Sequence, residues 1–532
     1  MYQMMLYKKL SQVRLIIFIA AFITLTGNSK FLEKTLLVYP LTENWLFICS
    51  LFAWLFVFLS ALLLIFCYRH TIKPILIILL IISSIVSYAA NNFGIVFDHN
   101  MIANTFETNT TEFLELVNFN SFLYLLLLGL LPSYFVIKIE ITELPLKSQL
   151  WQRVKAFVIM ILIFILLIMG FSKHYSSFAR ENRDLRLYIN PSYYLYSLTK
   201  YVDAKFETST TPFQQIGLDA EINKKTNNQR LVILVIGETA RMDRFSLNGY
   251  KRQTNPLLAK EDVISFRQMT SCGTDTSWSI PCMFSSLNRS SYNHKEGKNM
   301  SNALDIISNT GIEVLWLENN SDSKGVADRI SYIDFKSEDV NPVCDIECRD
   351  EGMLNGLKDY IDGQNGKDAL VVMHTMGSHG PAYYKRYPGS FEVFSPACQT
   401  NQLNECSNEE ISNAYDNTIV YADYVLSRLI NLFKNYSVGS EIAIFYISDH
   451  GESLGESGIY LHGMPYLIAP NEQKQIASLM WFNEEFLESL DINIISEKID
   501  LPLSHDNLFH TLLGLMNIKT AFYQDKMDII AH

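Results

Sequence analysis

The 532-residue chain carries no basic block: Lys and Arg number 43 against 55 Asp and Glu, for a net charge of −12. That balance excludes the positive footprint with which proteins track a phosphate backbone, so no nucleic-acid partner is expected. Lys and Arg are missing altogether between Asn91 and Asn118. No small-residue cleavage site follows the first apolar run, which argues against a removed signal peptide. Cysteine is scarce outside the polar half, where Cys272, Cys282, Cys344, Cys348, Cys398 and Cys406 fall into three close couples. No His stands at ligand spacing beside them, which speaks against a cytosolic zinc cluster. Disulfides in an oxidising compartment are the better reading, although spacing leaves their connectivity open.

What the chain has in abundance is apolar runs, and they lie in its first third. Runs at about residues 15–26, 45–67, 72–90, 119–139 and 154–171 approach the ~20 residues needed to cross a bilayer. Five spans are expected. Arg69 and Lys73, then Lys138, Lys147 and Arg153, fall on the same side as Lys8, Lys9 and Arg14. The positive-inside rule then makes the N-terminus cytoplasmic, and an odd number of spans sends everything after Phe171 to the other face. The cysteines point independently to the same compartment. The expected organisation is a five-span transmembrane domain over 1–172, interfacial or linker helices over 173–229 and a soluble catalytic domain over 230–532. The loop 98–109 reads either as a surface helix at lipid headgroups or as a connector. Tyr188, Tyr193, Tyr194, Tyr196 and Tyr201 suit a membrane interface, or packing against the soluble domain.

From Arg230 onward strands alternate with helices, as in a layered α/β domain. Four apolar strands end in chemistry-bearing residues: Gly237-Glu238-Thr239, Glu318-Asn319-Asn320, His374 to Gly380, and Asp449-His450. Parallel strands bring such ends to one sheet edge, where ligands bind in open α/β sheets. Carboxylates with an imidazole at that edge read as half of a metal site. Between Cys272 and Cys282 lie Thr274, Thr276, Ser277 and Ser279, any of which could serve as a nucleophile; spacing does not choose among them. A metal would lower the pKa of such a hydroxyl, so the two features need each other. A Gly-rich turn after His450 can return His462 to the same place, and Lys324 stands where it could meet a phosphate oxygen. His505 and His510 open a helix that Ser504 can cap, and read as structural.

Gly237-Glu238-Thr239-Ala240-Arg241, Ser246-Leu247-Asn248-Gly249-Tyr250, the 271–285 loop, 374–381, 448–462 and 504–513 together resemble the phosphoethanolamine transferases, over the whole chain. The resemblance implies a five-helix transmembrane domain plus a periplasmic α/β domain with an alkaline phosphatase/sulfatase-like central sheet flanked by helices. It implies a bacterial inner-membrane enzyme, expected as a monomer, that is zinc-dependent and moves phosphoethanolamine from phosphatidylethanolamine to lipid A of lipopolysaccharide, promoting polymyxin resistance. By the resemblance Thr276 is the nucleophile, and Glu238, Thr276, Asp449 and His450 hold one tight zinc, with a second ion as an alternative. Asn320, Lys324, His379 and His462 line the substrate, the two histidines also giving acid-base help. The disulfides it implies are Cys272–Cys282, Cys344–Cys348 and Cys398–Cys406. Rival readings are transfer to core heptose or to a protein, a manganese enzyme building glycerol-phosphate polymers, which would lack this cysteine scaffold, and a non-enzymatic membrane sensor with a degenerate hydrolase domain.

Overall fold

The computed structural model describes residues 9–107, 115–210, 212–223, 228–434, 436 and 439–531. Lys8, Thr108, Asn109 and residues 224–227 of the expected linker lie outside them. The chain forms two compact units, one of residues 1–102 with 116–200 and the other of residues 103–115 with 201–532.

The first unit is helical. Helices α1 (Gln12–Thr26) and α2 (Ser29–Val38) meet at a 55° bend, followed by α3 (Leu41–Phe66) and α4 (Ile72–Phe93). Among the described residues four helices are long and apolar enough to cross a membrane: α3, α4, Phe119–Lys138 and Leu146–Gly170. Counting the bent pair as one span makes five. The bend falls at Gly27-Asn28, where the Asn28 amide donates to the carbonyls of Ile23 and Thr24 and so satisfies the end of α1. Leu162, Leu166 and Met169 point outward, 55–71% exposed, an arrangement that lipid tolerates and water does not.

The second unit is built on a seven-stranded sheet. Its strands are β1 (Gln229–Gly237), β2 (Ile264–Ser265), β3 (Glu313–Glu318), β4 (Ser331–Asp334), β5 (Ala369–His374), β6 (Ser440–Ser448) and β7 (Ser478–Phe482), in the order β2-β7-β6-β1-β5-β3-β4. The five strands β6, β1, β5, β3 and β4 are parallel, while β7 and β2 run antiparallel to their neighbours. Every residue of β6 is buried, as expected of a strand with both faces covered. Val232, Leu234, Leu370, Val372, Phe445 and Ile447 carry the core on one face, against Phe284, Leu304 and Leu512.

Register positions the chemistry. Gly237 pairs with Ser448, Ile236 with His374, and Glu318 with His374, so the four strands end on nearly the same rung. The residues just past that rung therefore emerge together. Gly237 itself admits no side chain: a Cβ there would lie 2.2 Å from the Tyr446 hydroxyl oxygen.

Candidate active site

Glu238, Asp449 and His450 emerge from the ends of β1 and β6, all fully buried, with one potential ligand atom from each within 4.8 Å of the others. His450 Nε2 lies 3.4 Å from Glu238 Oε1 and 3.3 Å from Asp449 Oδ2. His450 Nδ1 faces the Gly451 carbonyl at 2.9 Å. A carbonyl can only accept, so the proton sits on Nδ1 and the Nε2 lone pair faces the carboxylates. Asp449 Oδ2 accepts no hydrogen bond among the described residues. Its other oxygen takes the backbone N–H of Thr239 at 3.2 Å and of His450 at 2.7 Å, which fixes the group. Lone pairs converging in a buried place with no proton between them suit a cation.

Thr276 opens the helix α5 of the site loop, Thr276–Met283, whose N-cap is Asp275; the Asp275 carboxylate accepts from Trp278 N at 3.0 Å. Thr276 Oγ1 donates to Glu238 Oε2 at 3.2 Å and lies 3.3 Å from His450 Nε2. The other three hydroxyls of the loop are engaged elsewhere. Thr274 donates to the Met464 carbonyl, Ser277 contacts Asp275 and Asn104, and Ser279 accepts from Gly273 N. Of these four hydroxyls it is that of Thr276 that lies against Glu238 and His450. The loop is closed by the Cys272–Cys282 bond, and Cys344–Cys348 and Cys398–Cys406 are bonded likewise.

The Asn320 amide donates to Glu238 Oε2 at 2.7 Å and to the Thr375 carbonyl at 2.9 Å, so it stands behind a carboxylate of the cluster. Glu318 and His374, the other two strand ends, pair with each other at 3.0 Å, and the Trp316 indole donates to the same carboxylate. Burial opposes ionisation of Glu318, but the imidazole and indole N–H groups outweigh it and hold its pKa below the usual range. Lys324 sits at φ 53° with its ammonium on the Ser321 carbonyl. His505 accepts from Cys272 N and donates to the Ser448 carbonyl, and His510 accepts from Gln524 N; both are structural, as expected.

His379 and His462 lie with ring centroids 5.6 Å apart, and His462 is 4.4 Å from His450. Their environments differ. Burial, then His462 and Arg386, push the His379 pKa well down. Burial also lowers that of His462, but Glu452, whose carboxylate lies 3.2 Å from its Nδ1, outweighs it and leaves the pKa raised.

Three supports escape the sequence reading. Asp350, buried, accepts from Met376 N, Gly377 N and the Asn319 amide, and so holds the backbone that leads to His379. Arg386 donates to the His379 carbonyl at 2.7 Å while its guanidinium pairs with Glu115 and Glu347. Asn104 accepts from Ser277 beside Thr276. Asn104 and Glu115 fall in this unit, although they come from a loop flanked in sequence by two expected spans. Nothing in its composition gives that away.

A family model described as Sulfatase matches residues 230–518, and one described as Phosphoethanolamine transferase EptA/EptB matches residues 55–206. The phosphatidylethanolamine transferase Mcr-2 of Escherichia coli is 38% identical over 524 residues, 96% of each chain. The chain belongs to the phosphoethanolamine transferase family. Phosphoethanolamine transferase EptA of E. coli K12, a further relative, is 37% identical over 96% of this chain and 95% of its own. The solved integral membrane lipooligosaccharide phosphoethanolamine transferase A from Neisseria meningitidis superposes with a TM-score of 0.94 at 34% identity, over 98% of this chain and 99% of that one. The resemblance carried by the sequence motifs is therefore shown over the full length.

Proposed function

We propose that this protein transfers phosphoethanolamine from phosphatidylethanolamine to the phosphate groups of lipid A through a covalent intermediate on Thr276. The single observation that carries the reading is the Thr276 hydroxyl seated against Glu238 and His450 at 3.2 and 3.3 Å. Family membership supports the reaction class, and the mixed carboxylate, hydroxyl and imidazole set suits zinc. Glu238, Thr276, Asp449 and His450 would hold the ion. Zinc, when bound, lowers the pKa of a coordinated hydroxyl and offsets charge gathering on phosphoryl oxygens.

In the first step Thr276 Oγ attacks the phosphorus of the donor; an O–P bond forms, the bond to the glycerol oxygen breaks, and diacylglycerol leaves with a proton. In the second, an oxygen of the acceptor phosphate attacks the same phosphorus and the bond to Thr276 breaks. His379 and His462 pass the Thr276 proton to the leaving glycerol oxygen in the first step and, in the second, take one from the acceptor phosphate and return it to the Thr276 oxygen. Lys324 stabilises the negative charge that develops on the phosphoryl oxygens. Asn320 holds Glu238 through the amide that donates to its carboxylate and serves as a contact for the substrate in this reading.

Each transfer adds an ammonium group to a lipid A phosphate, which lowers surface negative charge and so weakens binding of polymyxins and other cationic peptides. Within this reading the domains run 1–172, 173–229 and 230–532, the N-terminus is cytoplasmic, the catalytic domain periplasmic and the enzyme a monomer. The basic residues that share one side of the spans and the three disulfides support that orientation. Donor and acceptor diffusing in one membrane plane make a tethered enzyme effective. The Thr276→Ala variant is expected to melt like the parent and to lose transfer, measured by mass spectrometry of lipid A from cells with and without it. Wild-type transfer by that variant would overturn the proposal.

A further inference from the structure

Beside the nucleophile loop stands a surface that the reaction chemistry above does not use. The segment Gly463-Met464-Pro465-Tyr466-Leu467 is stitched to the 271–274 stretch: Gly463 N donates to the Thr274 carbonyl at 2.7 Å, Thr274 Oγ1 to the Met464 carbonyl at 2.6 Å, and the Tyr466 hydroxyl to the Ser271 carbonyl at 3.0 Å. Ser271 N donates in turn to the Lys474 carbonyl at 2.8 Å. Whatever binds this segment is therefore anchored within a few residues of Thr276.

Two cations share the Tyr466 ring. The Arg289 guanidinium lies 3.4 Å and the Lys474 ammonium 5.5 Å from its centroid. Asp506 spends an oxygen on the Arg289 backbone N–H at 2.7 Å, and Glu472 is the acidic group felt by Lys474. Neither cation is ion-paired with a carboxylate among the described residues, and burial, then the nearby Arg289 charge, lowers the Lys474 pKa against the opposing pull of Glu472. Leu467, at the tip, is 94% exposed, the most exposed of the large hydrophobic side chains described. Two positive charges without a direct carboxylate partner, next to a bare apolar tip, match an amphiphile with an anionic head.

We propose that Arg289, Tyr466 and Lys474 form the landing site for a phosphate of the acceptor glycolipid, with Leu467 reaching toward its acyl region. This rests on the transfer reading and adds to it the surface that selects a phosphorylated acceptor. The two charges give bidentate and point-charge recognition of one phosphate, and the hydrogen bonds to the 271–274 stretch hold that phosphate near the phosphoryl group to be moved.

The test is binding, which needs no turnover. Full-length Thr276→Ala protein in detergent is titrated with bisphosphorylated lipid A and with the same lipid after dephosphorylation. Adding Arg289→Gln and Lys474→Gln should weaken binding of the phosphorylated lipid by about tenfold, the size of one lost charge-assisted contact, and leave the dephosphorylated lipid unaffected. The charge-retaining pair Arg289→Lys and Lys474→Arg should restore most of the affinity, which separates recognition from misfolding. Leu467→Ser should weaken the acylated lipid but not a soluble phosphorylated disaccharide. Equal affinity of the Gln pair and its parent for the phosphorylated lipid would overturn the inference. Failure of the wild-type enzyme to transfer phosphoethanolamine would instead overturn the reading beneath it.

Discussion

Replacing Asn320 by Ala should cost the protein metal affinity rather than fold. The Asn320 amide donates at 2.7 Å to the Glu238 oxygen that also receives Thr276, and at 2.9 Å to the Thr375 carbonyl. Its side chain is 1% exposed, so water does not replace it readily. A hydrogen bond to a buried carboxylate is worth about 1.5–3 kcal/mol. The part of that energy which orients Glu238 should appear as a loss of about 10–100-fold in zinc affinity, the range found when groups supporting a metal ligand are removed. Competition with a chromophoric chelator measures the affinity, and kcat/KM for transfer should fall by a comparable factor while the melting temperature drops only modestly. Zinc affinity equal to that of the parent would refute the argument, because Glu238 would then be oriented without Asn320.

Three further outcomes follow from the same geometry. Gly377 sits at φ 50°, and a Cβ there would come within 2.8 Å of Glu238 N and 2.9 Å of its carbonyl oxygen; Gly377→Ala should lower stability by about 1–3 kcal/mol and sharply reduce transfer, and parental melting with parental turnover would contradict it. Burial pushes the Asp528 carboxyl up to about 7, against the Tyr523 hydroxyl that donates to it. Between about 3.9, the unfolded value, and that point the native state holds a proton the unfolded chain does not, so stability falls as pH rises through the window. Asp528→Asn removes this dependence, and its melting temperature relative to the parent should climb between about pH 5 and pH 8; a constant or shrinking difference would contradict it. EDTA should abolish transfer and added zinc restore it; undiminished transfer in chelator would contradict the ligand set.

The parallel strands and their common edge were legible because Val/Ile/Leu runs that stop on Glu238, Glu318, His374 and Asp449 leave few alternatives for a layered sheet. What each ending does was less so. Glu318 and His374 look as metal-capable in sequence as Glu238 and Asp449, yet a one-rung match across β3 and β5 makes them partners of each other. Register decides that, and no sequence period records it. The choice among Thr274, Thr276, Ser277 and Ser279 likewise depends on which way each points from a short helix start, and three find local acceptors or donors. Asp350 and Arg386 were invisible because they hold backbone atoms, Asp350 those of Met376 and Gly377 and Arg386 the His379 carbonyl, which no residue pattern records. The loop 98–109, read as either a surface helix or a connector, holds a helix at His99–Glu107 whose last residues, from Ala103 on, fall in the second unit. The bend after Thr26 also escapes hydropathy, since Gly27 and Asn28 only shorten an apolar run.

The most direct measurement is tandem mass spectrometry of the peptide carrying residue 276 after the enzyme has been mixed with phosphatidylethanolamine and quenched before acceptor is added. A phosphoethanolamine adduct on Thr276, lost when lipid A is supplied, is the expected result. Transfer that proceeds with Thr276 unmodified throughout, or with the adduct on another residue, would contradict the account.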